Sequence, residues 1–185
     1  MNFSSVSDKK IIGKLLRFPL KLIPPKTVIP ILQGGLRGKK WVVGSSNHGC
    51  WLGSYEYNKQ KEFVRYVREG DIVFDVGAHA GFYTLLASTL VGQKGKVFAF
   101  EPLPSNLYNL RRHLTLNKTS NVEVVDSAVT QKDGRVHFRD DGAGSSTSAV
   151  IQDGGIEVKS ISLDSFCQER NCVPNLIKMD IEGGE

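Results

Sequence analysis

The sequence predicts an α/β fold in which a doubly wound parallel sheet lies between layers of helices. Three observations indicate this fold. From about residue 70 onward, short runs rich in Val, Ile and Phe alternate with segments of helical spacing, which is the periodicity of βα units. The runs are continuously apolar, as expected of strands that are buried on both faces. They end in polar residues or glycines, at the edge where open α/β sheets bind ligands.

The elements follow one another along the chain, with one departure from the rhythm. The predicted order is strand 72–76, helix 83–90, strand 96–100, helix 106–117, strand 122–125 and strand 176–179. Within the insert 134–161, residues 135–139 and 156–161 are predicted strands around the Gly- and Ser-rich run 140–148, which predicts a hairpin or a mobile loop. The chain stops at Glu185 before any helix that could cover the fourth strand. We therefore expect a fragment, with the sheet truncated after its fourth strand.

The charge is unevenly distributed. The formal net charge is +5, but residues 1–40 hold nine Lys and Arg against one acidic residue, so the remainder has fifteen against eighteen. We interpret residues 1–40 as a basic amphipathic segment, 41–69 as a pre-domain helix and lead-in, and 70–185 as a partial domain. Nucleic-acid binding is not expected, because phosphate contacts need clustered Lys and Arg and the body is mildly acidic.

A basic amphipathic helix is predicted at residues 9–23. Its apolar residues recur at helical spacing, while Lys10, Lys14, Arg17 and Lys21 share the other side. Two interpretations stay open. The helix attaches peripherally to an anionic membrane surface or a partner, or it docks on the body of the protein with its basic face in water.

The cysteines and the longest apolar stretch indicate the cellular compartment of the protein and whether it spans a membrane. The three cysteines are an odd number without metal-ligand spacing, and no cleavable signal sequence precedes them. This predicts reduced thiols in a cytoplasmic protein, and no metal site is predicted. Residues 72–92 are mostly apolar, but Asp75 and His79 interrupt them, and a central Asp costs about 2.5–3.5 kcal/mol on membrane-insertion scales. A strand followed by a turn is the better interpretation.

The first strand leads into a glycine-bordered turn. It reads Asp75-Val76-Gly77-Ala78-His79-Ala80-Gly81 and precedes a helix. Glycine permits close approach of a ligand and positive φ, and the N–H groups at a helix start attract anionic groups. A nucleotide-like ligand is therefore expected here. The spacing is G-x-x-x-G, whereas the dinucleotide fingerprint needs G-x-G-x-x-G, so NAD is disfavoured.

Polar residues also follow the next two strands. Glu101, followed by Pro102, ends the second strand, where an acid can accept both ribose hydroxyls. Its alternative role is a helix N-terminal carboxylate. Asp126 or Ser127, after the third strand, can hydrogen-bond an adenine edge, and the small Ala128 would leave room for the ring. An ordinary strand end explains this third segment equally well.

Two carboxylates follow the fourth strand. Asp180 and Glu182 are placed to take a proton from a substrate hydroxyl or to hold a cation. Alternatively, either could cap a following helix.

These four blocks, in this order, resemble the FkbM-type family of S-adenosylmethionine-dependent methyltransferases. The resemblance covers roughly residues 50–185 and implies a Rossmann-like sheet of seven strands. It also implies S-adenosylmethionine as cofactor and methyl transfer mostly to oxygen, on sugars, glycolipid or polysaccharide units, or natural products. His79 departs from the pattern, since the family often has Asn there. The matching segments are Trp51-x-Gly53-x-Tyr55-Glu56, Phe74-Asp75-Val76-Gly77-Ala78-x-x-Gly81-x-Tyr83-Thr84, Phe100-Glu101-Pro102 with Pro104 and Asn106, Ser162-Leu163-Asp164 and Ile177-Lys178-Met179-Asp180-Ile181-Glu182-Gly183-x-Glu185.

The resemblance gives each block an expected role. Residues 77–81 hold the methionine end of the cofactor, Glu101 its ribose, and Ser127 with Ala128 its adenine, while Asp180 and Glu182 face the acceptor. Glu56 reaches the cofactor's ammonium group or is only a helix-start carboxylate. Two other functions remain open, an NAD-dependent oxidoreductase and a non-catalytic module that binds a membrane surface or a partner. The predicted cofactor-binding residues are Glu56, Asp75, Gly77, Ala78, His79, Gly81, Glu101, Pro102, Ser127 and Ala128.

Overall fold

The computed structural model describes residues 22–138, 150–151 and 155–181. The chain divides into two compact units, Met1–Tyr66 and Val67–Glu185. Most of the predicted basic helix at residues 9–23, the run 140–148 and Glu182 lie outside the described residues.

The first unit is built on a small antiparallel ladder. Strands β1 (Val28–Pro30) and β2 (Lys40–Val42) pair with each other, and a 3-10 turn (Val43–Ser45) follows. Helices α1 (His48–Leu52) and α2 (Tyr57–Tyr66) complete the described part of this unit. The core includes buried indole and aliphatic side chains, because these large apolar groups lose the most by exposure to water. They are Trp41, Ile31, Leu36 and Trp51.

The second unit contains the predicted parallel sheet. Its strands are β3 (Ile72–Val76), β4 (Lys96–Phe100), β5 (Val122–Val125) and β10 (Leu176–Met179), in the order β10-β3-β4-β5 with every pair parallel. All four predicted strands are confirmed residue for residue. Helix α3 (Phe82–Val91) connects β3 to β4, and α4 (Pro104–Leu116) connects β4 to β5. The chain thus has the predicted Rossmann-like α/β fold.

Aromatic packing holds the sheet together. Phe74 makes ring contacts with Phe98, Phe100 and Phe166, with centroids 5.3–5.5 Å apart. Phe166 belongs to helix α5 (Leu163–Arg170), and the hydroxyl of Ser162 caps the start of that helix by accepting from the Ser165 N–H at 3.1 Å. Edge-to-face pairs of this kind add about 0.5–1.5 kcal/mol beyond the burial of their area. This cluster therefore fixes α5 against the sheet just before the chain enters β10.

The insert forms a second sheet. Strands β6 (Ala128–Val129), β7 (Gly134–Phe138), β8 (Val150–Ile151) and β9 (Ile156–Ile161) lie in the order β6-β9-β7-β8. The antiparallel pairing of β7 with β9 confirms the predicted pair of strands, and β7 begins one residue earlier than expected. The strand β6 is a correction. The sequence predicts no strand after Val125 until the insert, whereas Ala128 begins a separate strand that pairs in parallel with β9.

Residues 72–92 fold as a strand, a turn and a helix, as predicted. Within the described part of the chain, no helix combines the length and the apolar character that crossing a bilayer requires.

Candidate functional site

The glycine turn, residues 77–81, connects β3 to α3 at the carboxyl edge of the sheet. Three of its residues have positive φ: Gly77 at 75°, His79 at 51° and Gly81 at 90°. A Cβ on Gly77 would lie 2.2 Å from the carbonyl oxygen of Asp180, so only glycine fits where β3 meets the end of β10. This close approach brings the predicted cofactor turn and the predicted acceptor residue together.

Internal hydrogen bonds use most of the N–H groups of the glycine turn. Those of Gly77 and Ala78 both donate to the carbonyl of Phe100, each at 3.0 Å. The N–H of Gly81 donates to the carbonyl of Ala78 at 2.8 Å, and that of His79 donates to the Glu101 carboxylate at 2.7 Å. Four of the five turn amides are therefore committed within the protein.

Glu101 is the acidic residue that organises this edge. Its side chain is 4% exposed, and besides the His79 N–H it accepts the Leu103 N–H at 3.0 Å and the Asn106 amide at 3.2 Å. Burial raises the pKa of the Glu101 carboxyl above its usual range, although these three hydrogen bonds oppose the rise. Glu101 thus ties β4, the start of α4 and the glycine turn together. Pro102 is half-buried beside it.

Asp75 lies at the base of the glycine turn, and no part of it is exposed to solvent. One carboxylate oxygen accepts from the Thr84 hydroxyl at 2.6 Å, and the other lies 3.3 Å from the ammonium of Lys178. Lys178 is the register partner of Asp75 across β3 and β10, so their side chains share one face of the sheet. A direct contact between Asp75 and a cofactor stays a prediction, whereas its contact with Lys178 is observed.

Lys178 links several of these groups. Its Nζ lies 3.4 Å from the carbonyl oxygen of Gly77 and 3.7 Å from the Asp180 carboxylate. The Lys178 side chain is 15% exposed, while that of Asp180 is 49% exposed. A largely buried ammonium therefore bridges a fully buried carboxylate and one that faces solvent. This arrangement leaves Asp180 available to a ligand.

The imidazole of His113 supports the glycine turn from α4. It is fully buried, and its Nδ1 lies 2.7 Å from the carbonyl oxygen of Ala80. Burial lowers the pKa of His113 to about 4, which outweighs the raising effect of the contact with Ala80. The ring is thus neutral at pH 7. Because a carbonyl only accepts hydrogen bonds, Nδ1 donates to it.

In the segment predicted to hold adenine, residues 126–128, the observed contacts are with other parts of the protein. Asp126 is half-exposed and pairs with Arg111, while the Ser127 N–H donates to the carbonyl of Val125 at 2.8 Å. Ala128 is 3% exposed and packs with Leu103 in the core of the second sheet. The roles of Ser127 and Ala128 toward adenine stay predictions.

Glu56 belongs to the other unit and immediately precedes α2. Its φ is 45°, one carboxylate oxygen pairs with Lys59, and the other is buried without a hydrogen-bond partner. The structure therefore matches the helix-start alternative for this residue, and a contact with the cofactor stays a prediction.

Sequence reasoning missed four residues of this site. Thr84, Asn106 and Lys178 belong to the segments that resemble the family but have no predicted role, and the sequence singles out nothing at His113. Lys178 and His113 contact residues far upstream in the sequence, whereas Thr84 and Asn106 contact residues nine and five positions away. Periodicity does not indicate which of these contacts form. The positions of Thr84 and Lys178 relative to the strand ends could have indicated a role at this site. For Lys178, aligning β10 beside β3 places it opposite Asp75.

A parallel sheet with a glycine turn and a buried acidic residue at its carboxyl edge defines an α/β protein of the nucleotide-binding type. The chain matches the methyltransferase FkbM domain over residues 75–185. It belongs to the FkbM methyltransferase family, and the predicted resemblance is confirmed.

Solved structures of methyltransferases match shorter parts of the chain. An S-adenosylmethionine-dependent methyltransferase from Aquifex aeolicus is 37% identical over 38% of this chain and 37% of its own, with a TM-score of 0.34. An rRNA methylase from Streptococcus thermophilus is 19% identical over 40% of this chain and 42% of its own, with a TM-score of 0.36. The chain thus covers well under two thirds of the length of these proteins. No curated protein sequence matches it significantly.

Proposed function

We propose that the protein binds S-adenosylmethionine at the carboxyl edge of the sheet and transfers its methyl group to a hydroxyl oxygen of a sugar, a glycan or a natural product. Membership of the FkbM methyltransferase family supports the reaction class. The hydrogen bonding of the glycine turn supports the choice of cofactor.

The committed turn amides are the observation that carries this proposal. A dinucleotide needs several free N–H groups to hold its pyrophosphate at a helix start. Here the N–H groups of Gly77, Ala78, His79 and Gly81 all donate inside the protein. S-Adenosylmethionine has no phosphate and does not need free N–H groups to hold one. The turn therefore fits S-adenosylmethionine better than NAD. The oxidoreductase alternative is correspondingly not favoured.

Glu101 would hold the ribose. A carboxylate offers about four acceptor positions, and three N–H groups occupy Glu101. A further position is therefore available to a ribose hydroxyl, and the three donors would keep the carboxylate fixed in direction. Residues 77–81 would line the methionine end, and Ser127 with Ala128 would lie toward adenine.

The acceptor would be handled by residues that follow β10. When bound, the cofactor supplies an electrophilic methyl group carried on a sulfonium. Asp180 would accept the proton of the acceptor hydroxyl, a contribution of about 10²–10⁴-fold for a well-placed general base. Lys178, 3.7 Å from Asp180 and anchored on Asp75, would hold that carboxylate in place. Glu182 is proposed to assist on the same side.

The partners follow from the same proposal. A small molecule or a glycan is the expected acceptor, and the mildly acidic body disfavours nucleic acid. A cytoplasmic location, with peripheral membrane contact through residues 9–23, remains part of this proposal.

Calorimetry on the 185-residue chain tests the cofactor. We expect binding of S-adenosylmethionine and S-adenosylhomocysteine and none of NAD, with Glu101→Gln weakening the first two. Binding of NAD alone would overturn the assignment. Transfer of a labelled methyl group to a panel of sugars, glycans and RNA then tests the acceptor, and labelling of RNA alone would contradict the proposed substrate class.

A further inference from the structure

The thiols of Cys167 and Cys172 meet at the end of helix α5, outside the site described above. The helix ends at Arg170, and Asn171 follows with φ 48° and ψ 49°, the left-handed conformation of a helix C-cap. The N–H of Cys172 donates to the carbonyl of Cys167 at 3.1 Å, and that of Asn171 donates to the carbonyl of Gln168 at 3.3 Å. These two bonds, six-to-one and five-to-two, make a Schellman motif.

The motif brings the backbones of the two cysteines together. In a Schellman motif, the side chain that precedes the left-handed residue by four positions frequently contacts the side chain that follows it by one. Here those positions are Cys167 and Cys172. The hydrogen bond from the Cys172 N–H to the Cys167 carbonyl, with the covalent bonds beside it, is all that separates their α-carbons. This spacing is compatible with the roughly 4.4–6.8 Å between the α-carbons of cysteines joined by a disulfide. Both side chains also pack against the aromatic cluster around Phe166.

Both thiols are accessible from solvent. They are free and partly exposed, and they line an open groove of about 440 Å³ on the surface of the second unit. Burial raises the pKa of the Cys167 thiol, and the neighbouring Cys172 raises it further, which agrees with their proximity. Cys50, in contrast, is 1% exposed, and burial raises the pKa of its thiol to about 12. The chain therefore has one close, accessible pair and one inert thiol.

We propose that Cys167 and Cys172 form a redox modification site, at which a small-molecule disulfide such as oxidised glutathione converts the pair into an intramolecular disulfide. One thiolate attacks a sulfur of the small disulfide, whose S–S bond breaks and releases one glutathione thiolate. The other protein thiolate then attacks the protein sulfur of the mixed disulfide and releases the second glutathione. Two protein thiols are oxidised, one glutathione disulfide is reduced, and the two protons end on the released glutathiones.

The position of this pair connects it with the rest of the fold. Asn175, three residues after Cys172, accepts the Ile72 N–H and donates its own N–H to the Ile72 carbonyl, both at 2.8 Å. The segment between α5 and β10 is thus held to the start of β3. A disulfide would close a ring at the beginning of this segment, immediately before the strand that carries Lys178.

The test is a titration of the full 185-residue chain in glutathione buffers of increasing potential, at low protein concentration, followed by alkylation and peptide mass spectrometry. We expect the loss of two of the three free thiols and a mass lower by two hydrogen atoms, with the new bond mapped between Cys167 and Cys172. The matched control Cys50→Ser should oxidise identically.

Single variants separate the pair from two independent thiols. Cys167→Ala and Cys172→Ala should each give a stable mixed disulfide with glutathione at the remaining partner. Mixed disulfides at both cysteines of the unsubstituted chain, or a bond that includes Cys50, would overturn the proposal. The mapping on the unsubstituted chain decides the question even if a variant folds poorly. None of these readouts depends on S-adenosylmethionine, so their outcome is independent of the proposed function.

Discussion

Replacing His113 by Gln should remove a large part of the acid sensitivity of the fold. The imidazole is fully buried and its pKa is lowered from 6.5 to about 4. The unfolded chain therefore binds a proton at His113 between pH 6.5 and 4, whereas the folded chain does not. Stability due to this group is present above pH 6.5 and is lost as the pH falls through 4. At 1.36 kcal/mol for each unit of pKa, the loss is about 3 kcal/mol.

Urea denaturation of both proteins at several pH values between 7.5 and 4 measures this loss. The free energy of unfolding of the unsubstituted chain should fall, relative to that of His113→Gln, by about 3 kcal/mol over this range. Glutamine keeps an N–H donor for the Ala80 carbonyl, so the comparison isolates the titration. Glu101 acts in the opposite direction, because its raised pKa favours the protonated folded state as the pH falls. That contribution is present in both proteins and cancels.

Curves that stay parallel across the whole range would refute the reasoning for His113. A proton NMR titration provides a second check on the same ring. Its resonance should shift with a midpoint near pH 4, and a midpoint near 6.5 would mean that the imidazole is not buried as described.

Two further comparisons address the site itself. Glu101→Ala should weaken S-adenosylmethionine binding about 10–150-fold, the cost of a lost charge-assisted hydrogen bond, and Asp180→Ala should weaken it less; equal calorimetric affinities for the unsubstituted chain and Glu101→Ala would remove Glu101 from the site. Gly77→Ala should destabilise the fold by more than the roughly 1–2 kcal/mol that positive φ costs an alanine, because its Cβ would meet the backbone of Asp180 at 2.2 Å. Gly81→Ala should also cost more than the roughly 1–2 kcal/mol of positive φ, but less than Gly77→Ala, since its Cβ would meet a methyl group of the buried Leu110 side chain at 2.4 Å and not a backbone carbonyl; equal losses in denaturation would contradict this distinction.

The sheet was predictable because its signal is local. Each strand is a short apolar run bounded by polar residues or glycine, and β3 and β4 match their predicted limits. The start of α4 was predicted two residues late, although proline is favoured in the first turn and Pro104 begins the helix. The strand β6 has only two residues, too few to show a period, and its pairing with β9 depends on an insert about 30 residues away.

The supporting residues of the site were harder to predict. A lysine is normally exposed, and Lys178 is largely buried only because Asp75 lies opposite it on β3. The same holds for His113, whose partner is a backbone carbonyl of a turn far upstream. A single sequence indicates which residues end the strands. It does not indicate which buried residue each of them contacts.

The pairing of β10 with β3 sets the order in which the sheet can assemble. Strands β3, β4 and β5 are neighbours along the chain, whereas β10 joins β3 only after about 100 further residues. Closing so long a loop is slow compared with local pairing. Until β10 arrives, the Asp75 carboxylate lacks the Lys178 ammonium, so the docking of this strand both fills the edge of β3 and neutralises a charge buried at its end. We therefore expect the glycine turn to reach its final geometry late in folding, after β4 and the start of α4 with Glu101 are already formed.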